Sequence, residues 1–214
     1  MRIKTTQQEI INYLFTHVRE IYRGFDGAHD QKHFDEVYNA AEEMCNYAGI
    51  QGDDKLCILI AAAYHDVGRI WSENQHEKKS AEMFKNDKYM KLWLTKEDID
   101  FIARIISEHR GNSKASSISS LILKDADKKS GIMFDRWLDR VVRYNVETYL
   151  DLGEDVIFYK IKEKLKSMTD KKRKSTWNSE IALALYGEKP KFGMPTDKEI
   201  LTAMTEYIKE LKKN

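Results

Sequence analysis

The run Leu56-Cys57-Ile58-Leu59-Ile60-Ala61-Ala62-Ala63-Tyr64 constrains this chain more than any other stretch, because it passes directly into His65-Asp66 and then Gly68. It is long enough for a helix against a core and far too short to cross a bilayer. Apolar helices ordinarily end in solvated charges or a plain cap. This one ends in two of the commonest ligands for a divalent cation. Adjacent helical side chains point about 100° apart, so His65 and Asp66 reach one ion only where the helix ends or distorts. Gly68, able to take a positive φ, is the expected site of that break. The competing reading is a buried histidine hydrogen-bonded to a capping carboxylate, and the rest of the chain has to decide.

The remaining pattern is helical throughout. Ile10, Ile11, Leu14, Phe15, Val18, Ile21 and Tyr22 recur at three- and four-residue spacing and predict a first amphipathic helix, with His17 as a partly exposed packing residue. Asp30 is an N-cap for a helix through about Ala48, whose inner face is Val37, Ala40, Ala41, Met44, Cys45 and Ala48. Further on, Ala81, Phe84 and Tyr89 predict one inward helical face, and Thr95-Lys96-Glu97-Asp98 opens a helix over Ile99–Glu108. Later helices follow around residues 121–129, 134–150, 156–168, 177–186 and 196–211. No run alternates long enough for a strand, and the only prolines are Pro190 and Pro195, so the expected class is all-α.

At 214 residues the chain suits a single domain, with its motifs between about 25 and 150 and a helical extension from about 151 to 214. Its 36 Lys plus Arg and 35 Asp plus Glu nearly cancel, so no global field draws nucleic acid or an acidic membrane. The basic run Asp170-Lys171-Lys172-Arg173-Lys174 reads as a solvated stretch. Cys45 and Cys57 fall on apolar faces and read as buried reduced thiols. A start lacking a signal-like apolar region makes the cytoplasm the default location.

Two further elements bear on His65–Asp66. His33 lies four residues before Val37, on the inward face of its helix in the first turn. A short loop from Gly49 to Asp54 would bring the start of that helix beside the end of the next, so His33 and His65 should meet. Leu121-Ile122-Leu123-Lys124-Asp125-Ala126-Asp127 leaves too little polar surface for both acids to be solvated. At least one of Asp125 and Asp127 must lie near the buried side, where a carboxylate needs a compensating partner. Two imidazoles and two carboxylates suit one divalent Mn, Fe, Co or Zn ion, with Mg also allowed. His109 follows a helix end, where a cation is favoured by the helix dipole.

In this order the residues resemble the HD-domain superfamily of metal-dependent phosphohydrolases, whose pattern is H…HD…D. His33 matches the first histidine and His65–Asp66 the doublet. Asp127 rather than Asp125 matches the distal acid, because Ala126-Asp127-Lys128 aligns with the family's Ala-Asp-Arg segment. His29-Asp30-Gln31-Lys32-His33 is similar to the HDxxH start of small bacterial HD hydrolases. The resemblance implies an all-α bundle with additional C-terminal helices. It also implies hydrolysis of a phosphoester or phosphoanhydride, of a nucleotide by expectation, through metal-activated water. His33, His65, Asp66 and Asp127 would hold one ion. Asp66 or Glu77 would take the proton of the attacking water, and Lys32, Arg69, Arg110 and Lys128 would grip phosphate. Dinuclear branches of the family add two histidines; His109 could match one by spacing, but His76 follows the doublet too closely to match the other, so a second metal is not expected. Two alternatives remain: a nucleotide-sensing module without turnover, and an oxygenase using two irons. The expected partner is a small phosphorylated molecule rather than a membrane or nucleic acid, with a homodimer allowed.

Overall fold

The structure is a computed structural model that describes residues 4–71, 74–110, 113–131, 134–172, 177–188 and 193–213. Among these the chain is all-α, with eleven helices and no strand. In chain order they are α1 (residues 7–21), α2 (Gln31–Tyr47), α3 (Gly52–Tyr64), α4 (His76–Asn86), α5 (Lys88–Trp93) and α6 (Lys96–Ser107). There follow α7 (Ile118–Ser130), α8 (Phe134–Tyr149), α9 (Glu154–Lys172), α10 (Glu180–Tyr186) and α11 (Asp197–Leu211). The side chains of the basic run at residues 170–174 lie outside the described residues. No described helix is long and apolar enough to cross a membrane.

The chain divides into two compact units. The first holds Met1–Phe25, His29–Lys129 and Trp177–Gly187, and the second Asp26–Ala28, Ser130–Thr176 and Glu188–Asn214. In the first unit α3 is the central rod: every residue from Leu56 to Tyr64 is buried. A helix apolar on all sides has to be enclosed, and α2 and α6 lie against it. α2 contributes Phe34, Val37, Ala41 and Met44 to the same core, and α6 contributes Ile102, Ile105 and Ile106. Local caps set the helix starts. Thr6 and Glu9 form a capping box before α1, Thr95 and Asp98 another before α6, and Asp30 caps α2 by accepting from the backbone of Lys32 and His33.

Two expectations differ from the structure, those for Tyr89 and Gly68, while His17 packs at the surface as expected. Tyr89 does not share a helix with Ala81 and Phe84. Asp87 stops α4 and caps α5, accepting from the backbone N–H groups of Tyr89 (2.8 Å) and Met90 (3.0 Å), so Met90 is buried and Tyr89 is exposed. His17 is exposed and stacks on Tyr13, with ring centres 4.7 Å apart. Gly68 does not take a positive φ. Its need is for space: a Cβ there would stand 2.4 Å from the His76 carbonyl oxygen and 2.5 Å from the Ser80 nitrogen.

The second unit has its own core, built from Trp137, Val141, Val142 and Val146 of α8, Ile157, Ile161 and Leu165 of α9, and Ile200 and Met204 of α11. Leu150–Leu152 forms a 3-10 turn, and Gly153 at φ 90° turns the chain into α9. Glu147 of α8 accepts from the Gly27 backbone (2.8 Å) and from the Tyr207 hydroxyl.

Candidate metal centre

The doublet sits where α3 stops. His65 is its C-cap, and Asp66 follows at φ −111°, ψ 0° before a 3-10 turn over Val67–Ile70. Tyr22 secures this end: its buried hydroxyl donates to the Ala63 carbonyl (2.9 Å) and accepts from the Asp66 N–H (3.2 Å). Two of the backbone groups that a helix terminus leaves open are thereby satisfied without water.

His33, brought in by the first turn of α2, places its Nε2 3.2 Å from that of His65 and 3.4 Å from an Asp127 oxygen. These three meet as the sequence predicts. His76, which the sequence pattern leaves unmatched, completes the cluster with His109. Gln75, in the left-handed region at φ 65°, turns the chain so that α4 begins with His76 facing inward. His109, just past α6, places its Nε2 3.2 Å from that of His76. Asp66 lies between the two histidine pairs. Its Oδ2 is 3.6 Å from His33 and 3.5 Å from His65, and its Oδ1 is 3.1 Å from His76 and 3.8 Å from His109.

The donor set fits divalent cations. The Nδ1 atoms of His65 and His109 each reach the carbonyl three residues back, Ala62 at 2.8 Å and Ile106 at 2.7 Å. A carbonyl can only accept, so each Nδ1 carries the proton and each Nε2 turns a lone pair into the cluster. Burial pushes the His65 imidazole down to about 3 and lowers His109 as well, which keeps both neutral and able to ligate. Asp66 is 2 % exposed, and its Oδ1 has no hydrogen-bond partner. Burial alone would raise that carboxyl. His65, His33, His76 and Arg69 outweigh it and hold the group well below the usual range. Asp127 is lowered in the same way, with burial opposed by His33 and His65. A buried carboxylate oxygen without a hydrogen bond, 3.8 Å from the unprotonated Nε2 of His109, suits a positive charge besides that of Arg69 on the other oxygen.

The two acids of α7 part company. Asp125 is fully buried and accepts from Asn178 and Ser179, far along the chain. Asp127 faces His33, and its side chain keeps 34 % of its surface, the one open flank among the six clustered side chains. Of the cations expected at phosphate, Arg69 is turned inward, with Nε 2.7 Å from Asp66 Oδ2 and a side chain only 17 % exposed. Arg110 is half open and 3.6 Å from Glu77, whose buried Oε2 has no hydrogen bond. Lys32 is exposed beside His33, and Lys128 is half-buried beside Asp127. Lys124 donates to the carbonyls of Arg110 and Ser113 at 2.6 Å each, holding the segment that carries His109 and Arg110.

An all-α domain with imidazoles and carboxylates gathered at helix ends defines the class: a helical domain whose cluster is consistent with a divalent-metal site. Residues 31–131 match the family model of the HD domain, and the chain is similar to HD-domain proteins through this segment, which carries all six clustered side chains. No curated protein and no solved structure gave a match.

His76 left one sequence signal. It stands in His76-Glu77-Lys78-Lys79-Ser80-Ala81, where Ser80 Oγ accepts from the Gly68 N–H (2.9 Å) and locks the start of α4 against the doublet.

Proposed function

We propose that the protein is a two-metal phosphohydrolase acting on a small phosphorylated substrate, a nucleotide by preference, in which His33, His65 and Asp127 would hold one ion, His76 and His109 a second, and Asp66 would serve both. The observation that carries this reading is the division of Asp66, one oxygen toward His33 and His65 and the other toward His76 and His109. Asp127 completes the first position. A single ion, expected from the sequence, would leave one of the histidine pairs without a role. Divalent ions held there supply Lewis acidity toward a phosphoryl oxygen and make a bound water more acidic.

The chain's own residues do the rest. The open flank at Asp127 admits substrate, with Lys128 beside it and Lys32 on the neighbouring turn to attract phosphate. Arg110 is the cation best placed to follow the charge that builds on the transferring group, since it is half open and held in place through Lys124. Glu77, a buried carboxylate with an unused oxygen, orients the attacking water and takes its proton. Arg69 acts indirectly: paired with Asp66, it keeps that carboxylate ionised and aimed.

The test is a screen of nucleoside mono-, di- and triphosphates with Mn, Co, Mg and Fe, identifying the product and counting bound metal. Release of phosphate or pyrophosphate that requires metal and vanishes in His65→Ala and Asp66→Ala, both still helical by circular dichroism, is expected. A metal-loaded protein that leaves every substrate intact would refute it. The same two-pair cluster would serve an iron oxygenase, and substrate-dependent oxygen uptake by the iron-loaded protein would favour that alternative.

A further inference from the structure

We propose that the segment Trp177–Gly187 is a strap that positions Asp127 for the metal centre. This rests on the metal-centre reading above and adds residues that lie outside the HD-matched segment. The chain leaves the first unit after Lys129 and returns to it only for Trp177–Gly187, while the flanking stretches belong to the second unit.

The strap grips α7 at two points. Asp125 Oδ1 accepts from the Asn178 backbone (2.8 Å) and side chain (2.6 Å), and Oδ2 accepts from the Ser179 backbone and hydroxyl (2.8 Å each). These bonds satisfy a fully buried carboxylate. One turn on, Lys129 donates to Glu43 at 2.7 Å, the Tyr186 hydroxyl donates to the same oxygen at 2.7 Å, and the Lys129 ammonium sits 4.2 Å from the Tyr186 ring centre.

Residues 125 and 129 are four apart and share a helix face, whereas 127 is about 200° around from 125. The strap therefore holds the back of the turn whose front carries Asp127. A rotation of α7 by about 20° would move a carboxylate ~5 Å from the axis by roughly 1.7 Å. Metal–ligand distances tolerate only about 0.2 Å, so the rotational setting of this turn decides whether Asp127 can ligate. Asn178, Ser179 and Asp125 are positioning residues, and none needs to touch metal or substrate.

A double-mutant cycle in the full chain tests this. Mn(II) affinity is measured well below the melting temperature for the wild type, Asn178→Ala/Ser179→Ala, Asp127→Ala and the combination. The strap variant should bind Mn(II) about tenfold more weakly in the wild-type background and show no further loss in the Asp127→Ala background. Affinity that is unchanged, or lowered equally in both backgrounds, overturns the proposal and leaves the strap as structural glue. If the strap variant does not fold, Tyr186→Phe goes through the same cycle under the same criteria, since it removes one hydrogen bond and no volume. A wild-type protein that binds no Mn(II) brings down the metal centre itself, and the strap's role with it.

Discussion

Asp66, Asp125 and Asp127 carry the same functional group and meet three fates. Four donors satisfy Asp125, Asp66 keeps an oxygen without a hydrogen bond, and Asp127 stays partly open. The histidines divide likewise: His17, exposed, stacks on Tyr13, while His33, His65, His76 and His109 turn ring nitrogens toward Asp66. His109→Ala should lower bound Mn from two ions per chain to one by elemental analysis; a variant that still carries two would remove His109 from the ligand set. The thiols give a pH expectation. Burial pushes Cys45 up to about 11 and Cys57 up to about 12. Native thiolate at pH 8 is then at least about a hundredfold scarcer than in the unfolded chain, and iodoacetamide should modify the native protein correspondingly slowly. Both pKa values are raised on folding, so their contribution to stability is complete below about pH 9 and is lost as pH rises toward 11–12. Urea midpoints at pH 8 and pH 10.5 should fall in that order; a midpoint that rises instead would contradict the assignment.

At the scale of elements, what was legible was what is locally encoded. The capping box at Thr95, the N-cap at Asp30 and the 3.6-residue pattern of α1, α2 and α6 each depend on neighbours within a turn, so each could be read directly. The break between α4 and α5 was missed because Asp87 is held there by distant groups as well, its Oδ2 accepting from the hydroxyls of Tyr13 (2.7 Å) and Tyr64 (2.9 Å). Gly68 shows the same limit. A glycine after a doublet reads as a helix stop, yet what it provides is close approach of the 3-10 turn to the start of α4. Gly68→Ala should cost about 2–3 kcal/mol of stability, because the opposing atoms are backbone and cannot yield. It should also weaken Mn(II) binding, since His76 would have to move. Stability within about 0.5 kcal/mol of wild type by urea titration would show that the contact relaxes freely.

Over the whole molecule, the apolar residues sort into two cores, one in each unit, and the metal cluster belongs to the first. Ligand binding stabilises only what it binds, so Mn(II) should raise the unfolding temperature of the first unit and leave the second unmoved. Trp137 is buried in the second unit, while Trp71, Trp93 and Trp177 lie in the first, so comparison of wild-type fluorescence melts with Trp137→Phe separates the two. A Trp137-specific signal that shifts by the same amount as the other three would merge them into one cooperative unit. The sequence by itself determined the helical class, the caps, and the meeting of His33 with the His65–Asp66 doublet, because periodicity and short loops act over a few residues. Only the tertiary structure decided that His76 and His109 share Asp66 and that Asp125 belongs to a segment some fifty residues away. Those pairings depend on how α4, α6, α7 and the returning strap pack, and no spacing along the chain encodes that.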